Sequence, residues 1–394
     1  MKKSIQLSFA IITLVILVVS GLFILFTQRG SIDDNSTHGD DTRTVIESNA
    51  RKITLKTTTI LDNLDKPWDI AFTDNGDMLF TERNGQLSRV VDGEPKSLIG
   101  LPDIYVRGES GLLGLTTDPE FTDNQFIYAC YATDTDVRVS RWSLNDVQLS
   151  NKVDILTGMP LNRSTFPGRH SGCRVVFDQA GVLWVGTGDV AIGSNPQDPQ
   201  SLGGKILRVD RDGNPAEGNL GAPFDPRIYN YGHRNVQGIA LTRSGEPFVG
   251  FSVEHGSDVH DEVNALVPGN FGWDPPLPYD ESAPMTDLDK FPDAVTAAWS
   301  SGRPTLAPSG ATFVYGDGWG DMSGNLFVAM QKTKHIRMFD VSATGELGSE
   351  TELFKNEFGR IRTVVQAPNG DVYFATDNGN GEDKIVKITP SDTE

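Results

Sequence analysis

A turn built on Gly, Asn or Asp, followed at once by an apolar strand, recurs six times along this chain. The copies are FTDNGDMLFTE (72–82), PEFTDNQFIYACYA (119–132), FDQAGVLWVGTGD (177–189), LTRSGEPFVGFSVE (241–254), DMSGNLFVAMQ (321–331) and APNGDVYFATD (367–377). Several lead into a further alternating segment, among them QLSRVV, KILRVD, HIRMFD and KIVKIT. A turn residue that tolerates positive φ, ahead of β-branched and aromatic residues, is hairpin chemistry. No long stretch from residue 51 onward has helical periodicity. Six copies between residues 51 and 394 average roughly 57 residues each, room for a four-stranded blade and a long loop. The pattern therefore predicts an all-β chain, a six-bladed β-propeller with four-stranded blades. A β-sandwich is the alternative, but it would not need six similar hairpins. A propeller hosts many functions, so the chemistry has to come from the loops.

Ahead of the repeats lies a different kind of chain. Residues 4–28 hold no charge and are mostly Ile, Leu, Val and Phe, with Lys2 and Lys3 before them and Arg29 after. A helical run of this length spans a hydrocarbon layer of ~30 Å. The paired lysines stay cytoplasmic, which places the chain beyond Arg29 outside. A cleaved signal peptide is the competing reading, but its apolar region is usually about 7–15 residues and ends in small residues. No A-x-A pattern precedes Arg29, and no cysteine comes after it to receive a lipid. Residues 1–29 thus read as a membrane anchor or signal segment, with the uncleaved anchor preferred. Residues 30–50 read as an acidic, solvated tether, and residues 51–394 as one extracytoplasmic domain at the periplasm or cell surface.

Charge removes one function class. The chain has 34 Lys+Arg against 53 Asp+Glu, a formal charge of −19, whereas a nucleic-acid binder needs a basic face. The only cysteines, Cys130 and Cys173, exclude a disulfide scaffold and a cysteine zinc cluster. Two unpaired small hydrophobes is the preferred reading, one bridge the other.

Four loop segments hold candidate chemistry. In FPGRHSGCR, His170 lies between Gly168 and Gly172 just before an apolar strand, where an imidazole can take a proton near neutral pH. An ordinary turn histidine is the plain alternative. In YGHRNVQG, Arg234 and Asn235 lie between glycines, and Arg234 offers a donor fork for a carboxylate or an oxyanion. It could equally tie two blades together. The segment EHGSDVHDEVN packs Glu254, Asp258, Asp261 and Glu262 around Gly256, a set that suits a hard cation such as Ca²⁺ without EF-hand spacing. A solvated acidic loop is the other reading. Finally, Lys332 comes after the strand LFVAMQ, and Arg360 and Arg362 alternate on one strand face, a candidate anion pocket. Taken singly, each is an ordinary surface cation.

Taken together, these segments resemble the soluble PQQ-dependent sugar dehydrogenases, the glucose/sorbosone dehydrogenase family. The likeness runs from about residue 61 to 390 and rests on LDKPWDIAF, ESGLLGLTTDPEF, RHSGCR, GTGD, GGKILRVDRDGNP, YNYGHRNVQG, EHGSDVHDEVN, GNFGWD, APSGATFVY and GRIRTVVQAPNGDVYFATD. It implies a six-bladed propeller holding pyrroloquinoline quinone (PQQ) and Ca²⁺ at one end of its channel. By the same resemblance His170 is the general base, supported by Asp189, and Arg234 stabilises charge on the quinone. Lys332, Arg360 and Arg362 hold the cofactor's carboxylates and carbonyls, with Asn235 beside Arg234. Glu109 and Thr305 line the pocket. The backbone carbonyls of Gly256 and Ser257 ligate the active-site Ca²⁺, and Glu262 with the Phe271 carbonyl forms a second, structural Ca²⁺ site.

The chain departs from the family in places. Arg169 stands where an aspartate often precedes the histidine in sugar-oxidising members. Arg303 stands where a cofactor-stacking tryptophan would lie, with Trp299 nearby but out of register. Cys173 takes a small-residue position. Three functions are implied, in order. The leading one is oxidation of an aldose at its anomeric carbon to a lactone, hydride passing to PQQ with Ca²⁺ assistance and electrons on to a quinone or soluble redox carrier. The second is a calcium-dependent propeller lactonase, which has no use for converging Lys332, Arg360 and Arg362. The third is a non-catalytic propeller that binds glycan or protein.

Overall fold

The computed structural model describes residues 43–47 and 52–392. The apolar run at 4–28 lies outside them, as does most of the stretch read as a tether.

Six antiparallel sheets succeed one another around a central channel. Blade 1 is Pro67–Phe72, Met78–Glu82, Gln86–Val91 and Glu94–Ser97. Blade 2 is Leu112–Thr117, Phe126–Ala132, Val137–Asn145 and Gln148–Met159. Blade 3 is Gly172–Phe177, Leu183–Thr187, Lys205–Val209 and Ile228–Tyr231, with Gly269–Asn270 added in parallel. Blade 4 is Val236–Leu241, Gly250–Glu254, Glu262–Ala265 and Trp299–Ser300. Blade 5 is Pro308–Phe313, Leu326–Met330, His335–Val341 and Leu347–Leu353. Blade 6 is Ile361–Gln366, Val372–Thr376 and Asp383–Asp392, completed by Lys52–Leu64 from the start of the domain. That pairing joins the two ends of the propeller and leaves no open sheet edge between first and last blade. Arg43–Glu47 adds a further strand outside Lys52–Leu64.

The six recurring turns each join the innermost strand of a blade to its second strand, as the period-2 pattern predicts. Apolar residues fill the layers between neighbouring blades: Leu87, Ile127 and Trp142 between blades 1 and 2, Phe251, Phe313 and Val328 between blades 4 and 5. Close approach of the inner strands depends on glycine. A Cβ on Gly238 would lie 2.2 Å from the Ser309 carbonyl oxygen, and one on Gly114 would lie 2.2 Å from that of Cys173.

Every innermost strand is irregular near its start, with register shifts at Pro67/Asp69, Leu112/Leu115, Gly172/Arg174, Val236/Gly238, Pro308/Ala311 and Ile361/Thr363. A bulge adds a residue and re-aims its side chain. Six bulges at one end of six inner strands therefore aim side chains at the same end of the channel. Below them a polar plug crosses the channel. Arg174 pairs with Asp69, donates to the Gln237 carbonyl at 2.9 Å and lies over the Trp68 ring at 4.2 Å. Asp69 also accepts from the Leu115 amide at 3.0 Å and the Thr363 hydroxyl at 3.2 Å.

The cysteines are not unpaired. Cys130, in the second strand of blade 2, and Cys173, at the bulge opening blade 3, form a disulfide with Cα atoms 5.6 Å apart. The bulge brings the start of blade 3 against its neighbour, a contact that the sequence separation of 43 does not reveal.

Candidate active site

In a blade, the start of the inner strand and the end of the second strand meet at the same end, because the two are antiparallel. Chemistry collects there in two adjoining cavities, of about 370 Å³ and about 220 Å³. Glu109 and His255 line both.

The smaller cavity holds His170 and Arg234. His170 has φ +51° in a loop pressed so closely against residues 187–189 that a Cβ on Gly188 would lie 1.9 Å from the His170 carbonyl oxygen. A non-glycine residue held in the left-handed region is a mark of a functional constraint. His170 Nδ1 is 2.8 Å from Asp189 Oδ1. Its Nε2 faces Arg169 Nε at 3.2 Å. A guanidinium can only donate, so Nε2 must be the bare, accepting nitrogen, and the ring proton sits on Nδ1 and is given to Asp189. Asp189 is fully buried and also accepts from the Trp273 indole and the Tyr279 hydroxyl, both at 2.8 Å. Burial opposes its charge, but His170 and Arg234 together with these donors hold the carboxyl below its usual range. Tyr279 is kept protonated by burial and by the Asp189 carboxylate.

Arg234 is buried, donates to the His255 carbonyl at 3.1 Å and pairs with Glu281. Burial works against its charge, yet Tyr279, Asp189 and Glu281 raise its pKa above the ordinary value. Asn235 bridges, accepting from Gln237 at 2.9 Å and donating to Glu109 at 3.4 Å. Arg169, Gly256, Ser257, Asp261, Thr305 and Ala307 complete the lining.

The larger cavity is rich in donors: Lys66, Arg83, Arg360 and Arg362, with Gln237, Gln331 and Asn378. Arg360 donates to Gln331 Oε1 at 2.7 Å. Arg362 pairs with Asp377 and donates to Gln237 Oε1 at 3.1 Å. Burial and the nearby guanidiniums of Arg362 and Arg234 push His255 down to about 3, so its imidazole is neutral between the two cavities, with Nε2 unpartnered. The volume lies within the ordinary range for a small-molecule site.

His170, Asp189, Arg234, Asn235, Arg360, Arg362, Glu109, Thr305, Gly256 and Ser257 thus come together from five blades. Four expected residues do not line either cavity: Asp189 is buried behind His170, and Lys332, Glu262 and Phe271 lie further away. Lys332 is exposed at the rim, its ammonium 2.9 Å from the Thr305 hydroxyl. Glu262 and Phe271 belong to a buried network behind Arg234. Glu254 accepts from the Arg234 amide at 2.8 Å and from Asn264 at 2.8 Å, and Asn264 reaches Glu262 at 3.2 Å. His233 binds Glu254 at 2.8 Å and stacks on Phe271. Burial and the adjacent Glu254 carboxylate raise Glu262 well above the ordinary range. No group of three or more His, Cys, Asp or Glu side chains suited to a metal occurs among the described residues.

The sequence missed Trp68, Gln237, Lys66, Arg83, Tyr279 and Glu281. Trp68 and Gln237 occupy the bulge position that Arg362 occupies in blade 6, so laying the six inner-strand starts over one another is the signal that finds them. Tyr279 and Glu281 sit on the long connection after Gly269–Asn270, which has no repeat pattern.

The sequence model of the glucose/sorbosone dehydrogenase family matches residues 64–387. The chain belongs to the glucose/sorbosone dehydrogenase family. Among curated relatives of this dehydrogenase-family chain is the aldose sugar dehydrogenase YliI of Escherichia coli, 29% identical over 86% of this chain and 94% of that protein. The quinoprotein glucose dehydrogenase B of Acinetobacter calcoaceticus is 28% identical over 54% of this chain and 51% of that protein. Among solved structures, the PQQ-bound aldose sugar dehydrogenase of Streptomyces coelicolor superposes with a TM-score of 0.73 at 28% identity, over 87% of this chain and all of that one. The family and the six-bladed, four-stranded fold are those that the sequence resemblance implies.

Proposed function

We propose that this chain is a PQQ-dependent sugar dehydrogenase that oxidises an aldose at its anomeric carbon to a lactone. The observation that carries the reading is the juxtaposition of a donor-rich cavity with a base of fixed tautomer: four cations line a cavity of about 370 Å³, and His170 presents a bare Nε2 beside it. That donor set fits a flat tricarboxylate. Lys66, Arg83, Arg360 and Arg362 would hold its anionic groups. Arg234, Asn235 and the unpartnered His255 Nε2 border its other edge.

When bound, PQQ supplies the two-electron acceptor for the hydrogen on the anomeric carbon. This chain's residues supply the rest. His170 Nε2 takes the hydroxyl proton, and Asp189 holds the resulting imidazolium in place. Arg234, fixed by the His255 carbonyl, presents positive charge where negative charge develops. Trp273 and Tyr279 close the back of the site, keeping Asp189 away from water. Ca²⁺ belongs to this reading at the backbone oxygens of Gly256 and Ser257, which line the smaller cavity. A second cation at Glu262 and the Phe271 carbonyl also belongs to it, supported by the buried Glu254–Glu262 pair and the unpartnered Asn264 Oδ1 beside it. The location is extracytoplasmic, through residues 1–29 as anchor or leader, and the Cys130–Cys173 disulfide favours an oxidising compartment. Electrons leave to a quinone or a soluble redox carrier.

The test is a titration of the full chain with PQQ, with and without Ca²⁺, scored by dye reduction over a panel of sugars. Sugar-dependent reduction that needs PQQ is the expected result; lactone hydrolysis indifferent to PQQ would replace this reading with a hydrolase. His170→Ala should lower turnover about 10²- to 10⁴-fold, while PQQ-induced changes in protein fluorescence and the melting temperature stay as in the parent. Unchanged turnover would remove His170 from the chemistry.

A further inference from the structure

The mechanism leaves one part of the site unused. Arg169 sits with Nε 3.2 Å from His170 Nε2, the atom a sugar hydroxyl has to reach. Its Nη2 is 2.6 Å from Glu281 Oε2, while Glu281 Oε1 pairs with Arg234. One carboxylate is thus seated across two guanidiniums directly beside the base. Glu281 belongs to the connection between Gly269–Asn270 and Trp299–Ser300, which contains no strand of its own, and its side chain is 28% exposed, so its carboxylate can leave for water. The Arg169 side chain is 32% exposed and faces the same opening.

We propose that Arg169 is the specificity-determining residue of this site and that it selects a carboxylate-bearing sugar, with Glu281 holding the place of the ligand's carboxylate until that ligand arrives. The inference rests on the sugar-oxidising reading above and narrows its substrate. A guanidinium fork has donors only. A hydroxyl meets one of them, whereas a carboxylate meets two in parallel, and each charge-assisted bond is about twice as strong as a neutral one. Glu281 demonstrates that the gap between Arg169 and Arg234 takes a carboxylate. A uronic acid entering here displaces Glu281, draws Arg169 off His170 Nε2 and leaves that nitrogen to the sugar hydroxyl. The other carboxylates lining this opening are already engaged, Glu109 by the His170 amide at 3.1 Å and by Asn235, and Asp261 by the Gly256 amide at 2.9 Å and the Ala307 amide at 2.8 Å.

The test begins without cofactor, by calorimetric titration of the full chain with D-glucuronate and with D-glucose. The parent binds glucuronate more tightly than glucose. Arg169→Met weakens glucuronate binding about ten- to a hundredfold, the loss of a charged hydrogen-bonded pair, and leaves glucose binding unchanged. Arg169→Lys, which keeps the charge but not the fork, falls between. Glu281→Ala strengthens glucuronate binding, because the internal occupant is gone. A melting curve of each variant checks folding. Equal affinities for the two sugars that Arg169→Met does not alter, or weaker glucuronate binding in Glu281→Ala, would overturn the proposal and make the bridge a purely structural clasp. With PQQ and Ca²⁺ added, the glucuronate-to-glucose ratio of kcat/KM should fall in Arg169→Met. Selective binding without any turnover would sink the oxidoreductase reading and leave this inference standing; turnover of glucose with no selectivity would do the reverse.

Discussion

Both ends of the propeller channel enclose space, cavities of about 370 Å³ and about 220 Å³ at one end and about 360 Å³ at the other, yet only the first resembles a site. At the second end the inner strands finish and the hairpins begin, and the lining mixes Phe72, Val176, Leu241, Val364 and Pro368 with Thr116, Thr117, Thr312 and Gln366 above the Asp69–Arg174 pair. Three of these hairpins, at 73–77, 178–182 and 367–371, are short turns whose residues are chosen for φ and for cross-strand fit, which leaves little freedom for side-chain chemistry. At the first end arrive the connections between blades and the loops after the second strands. Their residues are free of sheet pairing, and the six bulges turn Trp68, Gln237 and Arg362 inward. Volume is a by-product of closing six sheets into a ring; a cluster of cations beside a histidine base gathers at the end where topology delivers unpaired loops.

The Asp69–Arg174 plug separates the two ends, and breaking it should have the largest effect on stability. Arg174→Met keeps the side chain's length over Trp68 but leaves the Asp69 carboxylate buried without its cation. Removing one partner of a buried pair typically costs about 3–5 kcal/mol. Urea unfolding should show that loss. A midpoint unchanged within error would mean that the plug is only a filler and that the blades hold the ring unaided.

How much of this was written legibly in the sequence differs between the same two ends. The hairpin end was readable because each turn states its own geometry locally: a Gly, Asn or Asp turn followed by an apolar strand suffices to place a first and second strand. Closure of the ring was not readable, because Lys52–Leu64 pairs with Asp383–Asp392 across the whole domain and has no local mark of it. At the site end, His170 and Arg234 stood out as polar residues between glycines, Arg360 and Arg362 by their alternation on one strand face, and Asp189 through the family resemblance. Trp68 and Gln237 did not, since a bulge reverses the facing that strict alternation assigns. Lys332, expected among the cofactor's ligands through the family resemblance, is exposed at the rim with its ammonium on the Thr305 hydroxyl. The cysteine pair went unrecognised because it depends on two blades being neighbours.

A smaller effect distinguishes structural cations from those that await a ligand. Arg360 lies half-buried, donating to Gln331 Oε1 at 2.7 Å and to the Asp377 carbonyl at 3.1 Å, with the Asp377 carboxylate only at 4.0 Å, and burial together with Arg362 lowers its pKa from the ordinary arginine value. Arg360→Ala should therefore leave the melting temperature near that of the parent and weaken PQQ binding by about 1.5–3 kcal/mol, the worth of a hydrogen bond to a charged group. Fluorescence titration with PQQ reads this directly. A lowered melting temperature with unaltered PQQ affinity would move Arg360 from the ligand set to the scaffold.

The smallest effect is a pair of opposite pH responses. His255, at the site end, has a native pKa of about 3 against an ordinary 6.5. Between those values the unfolded chain holds a proton that the native state does not, so its contribution to stability is complete above 6.5 and is lost as the pH falls. At the plug, burial raises the Asp69 carboxyl despite Arg174. The native state there holds a proton that the unfolded chain has released, so this contribution is present in acid and lost as the pH rises through the native pKa. Urea midpoints measured from pH 4 to pH 8 separate the two. His255→Gln should flatten the fall toward acid by up to one proton's worth of slope, and Asp69→Asn should steepen it. If both variants moved the slope the same way, the two ends would not be electrostatically independent, and the plug would be part of the site rather than its floor.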